Sequence, residues 1–134
     1  MNTAGVKPTA LLDSDVLIDL SRSYLPALTW FSVQSEVIAV PGFVFLELLA
    51  GCRSKVETKA ARTLIAPFPV LWLPEAELQS ALTWYAPLPP TNQIGIVDVL
   101  IAAVALYHSL PLLTFNTRHF TVVPGLMIQE PYAR

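Results

Sequence analysis

Four short apolar runs, Thr9–Asp13 (TALLD), Val37–Val40 (VIAV), Pro69–Leu73 (PVLWL) and Pro111–Thr114 (PLLT), alternate along the chain with segments of helical period. That alternation leaves few folds open. Buried strands separated by helices predict a parallel sheet covered on both faces. The spacing predicts a helix after Asp13 and one over Tyr24–Val33 with Pro26 in its first turn. It predicts others over Phe43–Arg53, Lys55–Ile65, Glu75–Tyr85 and Ile96–His108, and a fifth strand at Leu126–Ile128. Ala86–Gly95 (APLPPTNQIG) reads as a proline-rich loop. No repeat or shift of composition divides the 134 residues. The expectation is one domain over 1–134, three-layer α/β/α, with a parallel sheet of four to five strands.

Composition narrows the function classes. With 54% hydrophobic and 13% charged residues the chain cannot be intrinsically disordered. The mean hydropathy of +0.55 raises the question of a membrane. The longest charge-free apolar runs, Val37–Leu46 and Val99–Tyr107, fall short of the roughly 18–20 residues needed to span one. The N-terminal MNTAGVKPTA lacks the apolar stretch of a signal peptide. A single cysteine, Cys52, allows no internal disulfide, so the expected compartment is the cytoplasm. The net charge of −2 restricts nucleic-acid binding to a local basic patch. The apolar excess predicts burial against a partner or a second copy.

The acids are few and oddly placed. Asp13, Asp15 and Asp19 lie within seven residues, and Asp98 stands alone: between Leu78 and Gln129 only Asp98 and Arg118 carry formal charge. Glu47 is isolated in FVFLELLAG, with no cation near it in sequence. Parallel α/β sheets bind ligands beyond the carboxyl ends of their strands, where strand order reverses. Asp13 ends the first strand, Glu47 lies in the helix after the second, Asp98 opens the helix before the fourth, and Asn116 follows the fourth. These four side chains are expected to meet at one edge. Three carboxylates about 5 Å apart repel by about 10 kcal/mol in total at an effective dielectric near 20. A proton or a cation must offset that, and hard carboxylate oxygens suit Mg²⁺ or Mn²⁺. Such an ion can activate water against a phosphodiester. Each residue also has a structural reading. Asp98 fits as a first-turn acid, Asp15 as a helix N-cap, Asn116 as a turn residue, and His119 as a packed or exposed histidine. Asp19 is expected to face solvent or to pair with Arg22.

Lys55, Lys59 and Arg62 share one helix face, with Arg53 just before them. This is the only basic stripe, and it reads either as a solvated face or as a track for a phosphate backbone. Beyond it, only Arg22 and Arg118 are expected to approach the site. Trp30, Trp72 and Trp84 read as core or interface residues.

The segments LLDSDVLIDL, FLELLAG and VDVLIAAVALYHSLPLLTFNTRHF together resemble PIN-domain ribonucleases of the VapC type, the toxin half of bacterial toxin–antitoxin pairs. The likeness runs over nearly the whole chain. It implies metal-dependent endonucleolytic cleavage of RNA, leaving a 5′-phosphate and a 3′-hydroxyl. It implies an acidic triad of Asp13, Glu47 and Asp98, with Asn116 and Thr114 at the family's positions after the fourth strand and Asp15 supporting the metal shell. It also implies a cognate antitoxin and a homodimer. The chain departs from the family pattern at Phe115, where an arginine is frequent, and at His119, where an acid is frequent. A fourth carboxylate is therefore missing, which implies one firmly held ion and a second bound only with RNA.

Two other readings stand beside this one. A strand followed by D-S-D-V also resembles the nucleophile motif of haloacid-dehalogenase-type phosphatases, with Asp13 as nucleophile. That chemistry wants a later lysine or arginine and a paired acidic motif, yet all three lysines precede the midpoint. The missing fourth carboxylate motivates the other alternative, a catalytically weak PIN-like protein-interaction domain.

Overall fold

In the computed structural model, residues 5–134 are described; the first four residues of the N-terminal segment considered above lie outside them. The strands are β1 (Ala10–Leu12), β2 (Ile38–Pro41), β3 (Val70–Leu71), β4 (Leu112–Leu113) and β5 (Ile128–Gln129). The helices are α1 (Ser14–Ser21), α2 (Leu25–Ser32), α3 (Gly42–Ala50), α4 (Lys55–Ile65), α5 (Glu75–Tyr85), α6 (Ile96–His108) and α7 (Thr117–Phe120). All strand pairs are parallel, in the order β3-β2-β1-β4-β5. The α/β class and the five-stranded sheet agree with the sequence pattern.

The pattern succeeds because burial dictates it. Every residue of β1 and β2 is buried, which needs cover on both faces and explains why these strands read as continuous apolar runs. Val16, Leu17 and Leu20 of α1 enter the same core as Ile101, Ala102 and Val104 of α6. Helix α4 starts where local chemistry tells it to. Ser54 Oγ accepts from the Glu57 amide at 3.1 Å, and Glu57 Oε2 accepts from the Arg53 amide at 2.7 Å, a close variant of the capping box. Helix α3 is shorter than its apolar period predicts and ends at Ala50, capped by Gly51. Helix α7 was not expected: four residues carry no readable period. Among the described residues no helix is long and apolar enough to cross a membrane.

Chain order reverses at β1. From there the chain builds outward through β2 to β3, then returns to place β4 on the other side of β1. The carboxyl ends of β1 and β4 are therefore adjacent, with Leu12 in register with Leu113.

The junction of β2 and α3 depends on a glycine. Gly42 is buried, and a Cβ there would run into the ring of Trp72, which itself packs edge-on against Phe43 at 5.4 Å. Gly42→Ala is expected to push the half-exposed Trp72 ring off Phe43 and destabilise the fold by about 1–3 kcal/mol. Denaturant unfolding checks this, and Trp72→Ala in the same chain should remove most of the added penalty.

Candidate functional site

The site grows from the last peptide of β1. Asp13 follows Leu12 and extends the ladder to β4, its amide donating to the Leu113 carbonyl at 3.0 Å. The residue is 3% exposed. Oδ1 accepts from the Ser14 amide at 2.8 Å, which makes Asp13, not Asp15, the N-cap of α1. Oδ2 accepts the hydroxyl of Thr114 at 2.7 Å. Thr114 is fully buried just past β4, and its Oγ1 in turn accepts from the Asn116 amide at 2.9 Å.

Asp15 closes the other side of this bridge. Its Oδ1 accepts from the Val16 amide and its Oδ2 from the Phe115 amide, both at 2.8 Å, with Thr114 Oγ1 at 3.3 Å. Two carboxylates at the start of α1, one at its cap and one in its first turn, thus grip the β4–α7 turn. Burial pushes the Asp13 carboxyl up to about 7, helped by the charges of Asp15 and Asp98 and opposed by the bonds from Thr114 and Ser14. Burial also raises Asp15, against its two amide donors and the charge of Arg134. Desolvation outweighs hydrogen bonding at both positions.

Asp98, in the first turn of α6, belongs to the same neighbourhood, since its charge acts on Asp13. Its Oδ2 lies 3.4 Å from His119 Nδ1, and the same nitrogen is 2.9 Å from Asn116 Nδ2. His119, one helical turn beyond Asn116, thereby sits between Asn116 and Asp98, its single Nδ1 serving one or the other. Its position in TFNTRHF gave no sign of this.

Glu47 stands apart from that cluster. It is exposed on α3 and lines a groove of about 960 Å³ with Ile18, Arg22, Leu48, Lys59 and Leu64. The cations that its sequence neighbours lack are thus supplied by α4 and the end of α1, although neither forms an ion pair with it. Arg53, Lys55, Lys59 and Arg62 line a second groove of about 810 Å³, while Arg118 is exposed on α7.

Two further expectations are corrected, beyond the cap of α1 and the separation of Glu47 from Asp13, Asp98 and Asn116. Asp19 neither faces solvent nor pairs with Arg22. It is 7% exposed and accepts from Tyr132 Oη at 2.7 Å and Arg134 Nη2 at 3.1 Å. The basic residues near the site are also not limited to Arg22 and Arg118. Arg134 lies with its guanidinium carbon 4.8 Å from the centre of the Phe115 ring, close enough for its charge to act on Asp15. The one available signal was the aromatic-plus-basic ending PYAR, which carries no spacing relation to Asp15 or Asp19.

Among the described residues, no three His, Cys, Asp or Glu side chains are gathered closely enough to hold a metal ion by themselves. The donor chemistry nonetheless suits a hard divalent cation. Asp13 is a buried carboxylate with no cationic partner among the described residues, and a bound cation would offset the desolvation that raises it.

The sequence profile of the PIN domain family matches residues 10–126. That match takes the D-S-D-V opening as the start of such a domain and not as a phosphatase motif. No curated protein matches the sequence. Among solved structures, a toxin–antitoxin complex from Klebsiella pneumoniae is similar at 22% identity and a TM-score of 0.74, covering 94% of this chain and 100% of the other. DNA-bound VapBC from Salmonella typhimurium is similar at 19% identity and a TM-score of 0.77, covering 92% and 98%. VapBC-1 from nontypeable Haemophilus influenzae is similar at 20% identity and a TM-score of 0.76, with the same coverage. At these identities the likeness is one of fold.

The raised Asp13 carboxyl has a consequence for stability. In the unfolded chain it ionises near 3.8 and in the folded protein near 7. Between these values the folded state keeps a proton that the unfolded state has lost, so stability falls as pH rises through this window. The full loss, about three pKa units, is roughly 4 kcal/mol above pH 7. In metal-free buffer the melting temperature of Asp13→Asn relative to wild type should therefore climb between pH 4 and pH 8. A difference that stays flat across that range would contradict the assignment.

Proposed function

Because the chain belongs to the PIN domain family, we propose that it is a VapC-type endoribonuclease, dependent on Mg²⁺ or Mn²⁺, that acts in the cytoplasm and is neutralised by a cognate antitoxin. The observation that carries this reading is the buried, uncompensated Asp13 carboxylate at the switch point of the sheet, within reach of the charge of Asp98. A divalent ion, when bound, supplies the positive charge that activates water and neutralises the phosphate.

Asp13, Asp98 and Glu47 are the proposed ligands, with Glu47 joining from the exposed face of α3. Asp15 and Thr114 support them. The Thr114 hydroxyl holds the Asp13 carboxylate in one orientation, and the Phe115 amide does the same for Asp15. The Asn116 side chain, just past β4, orients the phosphodiester. A carboxylate of the cluster accepts the proton of the attacking water. Cleavage of the bond between phosphorus and the 3′-oxygen leaves a 3′-hydroxyl and a 5′-phosphate.

The RNA backbone is proposed to run along Arg53, Lys55, Lys59 and Arg62, with Arg22 and Arg118 at the ends of the track. The groove that these four α4-side residues line supports that path. The fold shared with proteins described as toxin–antitoxin complexes supports an antitoxin as partner. The exposed Trp72, Leu78 and Leu82 support a homodimer.

Cleavage of RNA with Mg²⁺ or Mn²⁺ tests the reading. Wild type should cut, whereas Asp13→Ala and Asp98→Asn should lose at least about a hundredfold in rate, the scale of removing a positioned catalytic group. Equal degradation by wild type and variants, or none with either metal, would end it. A milder expectation concerns Lys59→Glu, which should weaken RNA binding and flatten its salt dependence. An unchanged slope returns that stripe to the role of a solvated helix face.

A further inference from the structure

Phe115 joins two parts of the molecule that the function proposed above leaves separate. Its amide donates to Asp15 inside the acidic site, while its ring supports the guanidinium of Arg134 at 4.8 Å. Arg134 is not loosely placed. Its Nη2 donates to the buried Asp19 at 3.1 Å, and the same carboxylate takes the hydroxyl of Tyr132 at 2.7 Å. The Tyr132 ring packs against Phe115 at 4.9 Å and Trp30 at 5.7 Å. The last turn of chain is thereby fastened across α1, α2 and the β4–α7 turn.

The Arg134 side chain is nonetheless 45% exposed, and Asp19 is its one hydrogen-bond partner among the described residues. A guanidinium has five N–H donors, so four remain. One face lies on an aromatic ring and its edge is open, a geometry that suits bidentate binding of a phosphate. The site beside it holds Asp13, Asp15 and Asp98, a charge that repels a polyanion unless a fixed cation stands at the rim.

We propose that Arg134, held by Asp19 and stacked on Phe115, is a substrate-binding residue that grips a phosphate of single-stranded RNA beside the acidic site. This rests on the ribonuclease reading and deepens it. Asp19 and Tyr132 are then positioning residues that fix the angle of the guanidinium. No residue on the proposed α4 track does this, since none of its four cations is ion-paired or stacked on a ring among the described residues.

The test compares wild type, Arg134→Gln and Arg134→Lys on a short labelled single-stranded RNA. Cleavage kinetics are followed with Mg²⁺, and binding is measured by anisotropy over a salt series without metal. Arg134→Gln should raise KM about tenfold and leave kcat within about twofold, as expected for a lost charge-assisted contact. Its log–log salt slope should be shallower by about 0.7, the release from one single-strand phosphate. Arg134→Lys keeps the charge without the fork, so it should restore the slope and recover KM only in part. Wild-type KM and slope in Arg134→Gln would overturn the assignment while leaving the ribonuclease intact. A raised KM with an unchanged slope and a lower melting temperature would overturn it too, reducing Arg134 to a fastener of the tail. Wild type that neither binds nor cuts RNA would remove the ribonuclease reading and this assignment together.

Discussion

A carboxylate buried where two parallel strands end is the constraint around which this molecule is built. Asp13 sits on the last peptide of the central strand, where backbone pairing to β4 leaves its side chain almost no contact with water. Its two hydrogen bonds, from Thr114 and Ser14, do not outweigh the desolvation, and the neighbouring acids add to the cost. Such a group is tolerable as a protonated acid or beside a cation. The fold accepts a destabilising element where ligands bind in sheets of this topology, which is a common place to find strain of electrostatic origin.

The surrounding polar groups make sense as consequences of that placement. Thr114 is buried because its hydroxyl must donate to Asp13, and its oxygen then receives the Asn116 amide that starts the next turn. Asp15, in the first turn of α1, accepts the Phe115 amide and so ties the same turn from the other side. His119 lies between that turn and Asp98. Residues from α1, the β4–α7 turn and α6 thus form one continuous polar strip, in a protein where only Asp98 and Arg118 carry formal charge between Leu78 and Gln129. The isolation of Asp98 in the sequence and its membership of this strip have one cause: α6 is buried along Val99–Ala105, and only its first turn opens onto the site.

Charge is equally sparing elsewhere. The described residues form two ion pairs, and the one without histidine fastens the end of the chain to α1 through Asp19. Asp13, Asp15 and Asp19 are close in sequence yet have three different settings. The first caps α1, the second grips the turn after β4, and the third faces Tyr132 and Arg134. Asp13 at the cap and Asp15 in the first turn both reach Thr114, whereas Asp19, one turn further on, is sent to other neighbours. Proximity along the chain therefore did not bring Asp19 into the cluster that Asp13 and Asp15 share through the Thr114 hydroxyl.

The sequence alone determined the elements whose signals are local. Apolar runs marked the strands because β1 and β2 are buried on both faces, and a 3.6-residue period marked α4, α5 and α6 to their observed ends. It also singled out Asp13 by its place at the end of the first strand, Asp98 by its isolation, and Thr114 through likeness to the PIN family. It did not give α7, because four residues have no period, nor the partner of Asp19, because the nearby Arg22 was the obvious candidate and Arg134 lies 115 positions away. Only the tertiary structure decided those pairings. Thr114 meets Asp13 across 101 positions because a crossover lays β4 beside β1, and no local preference of either segment records which strand will be its neighbour. The same limit holds for Glu47, whose helix was legible while its outlook onto the groove with Arg22 and Lys59 was fixed by how α3 packs on α1 and α4.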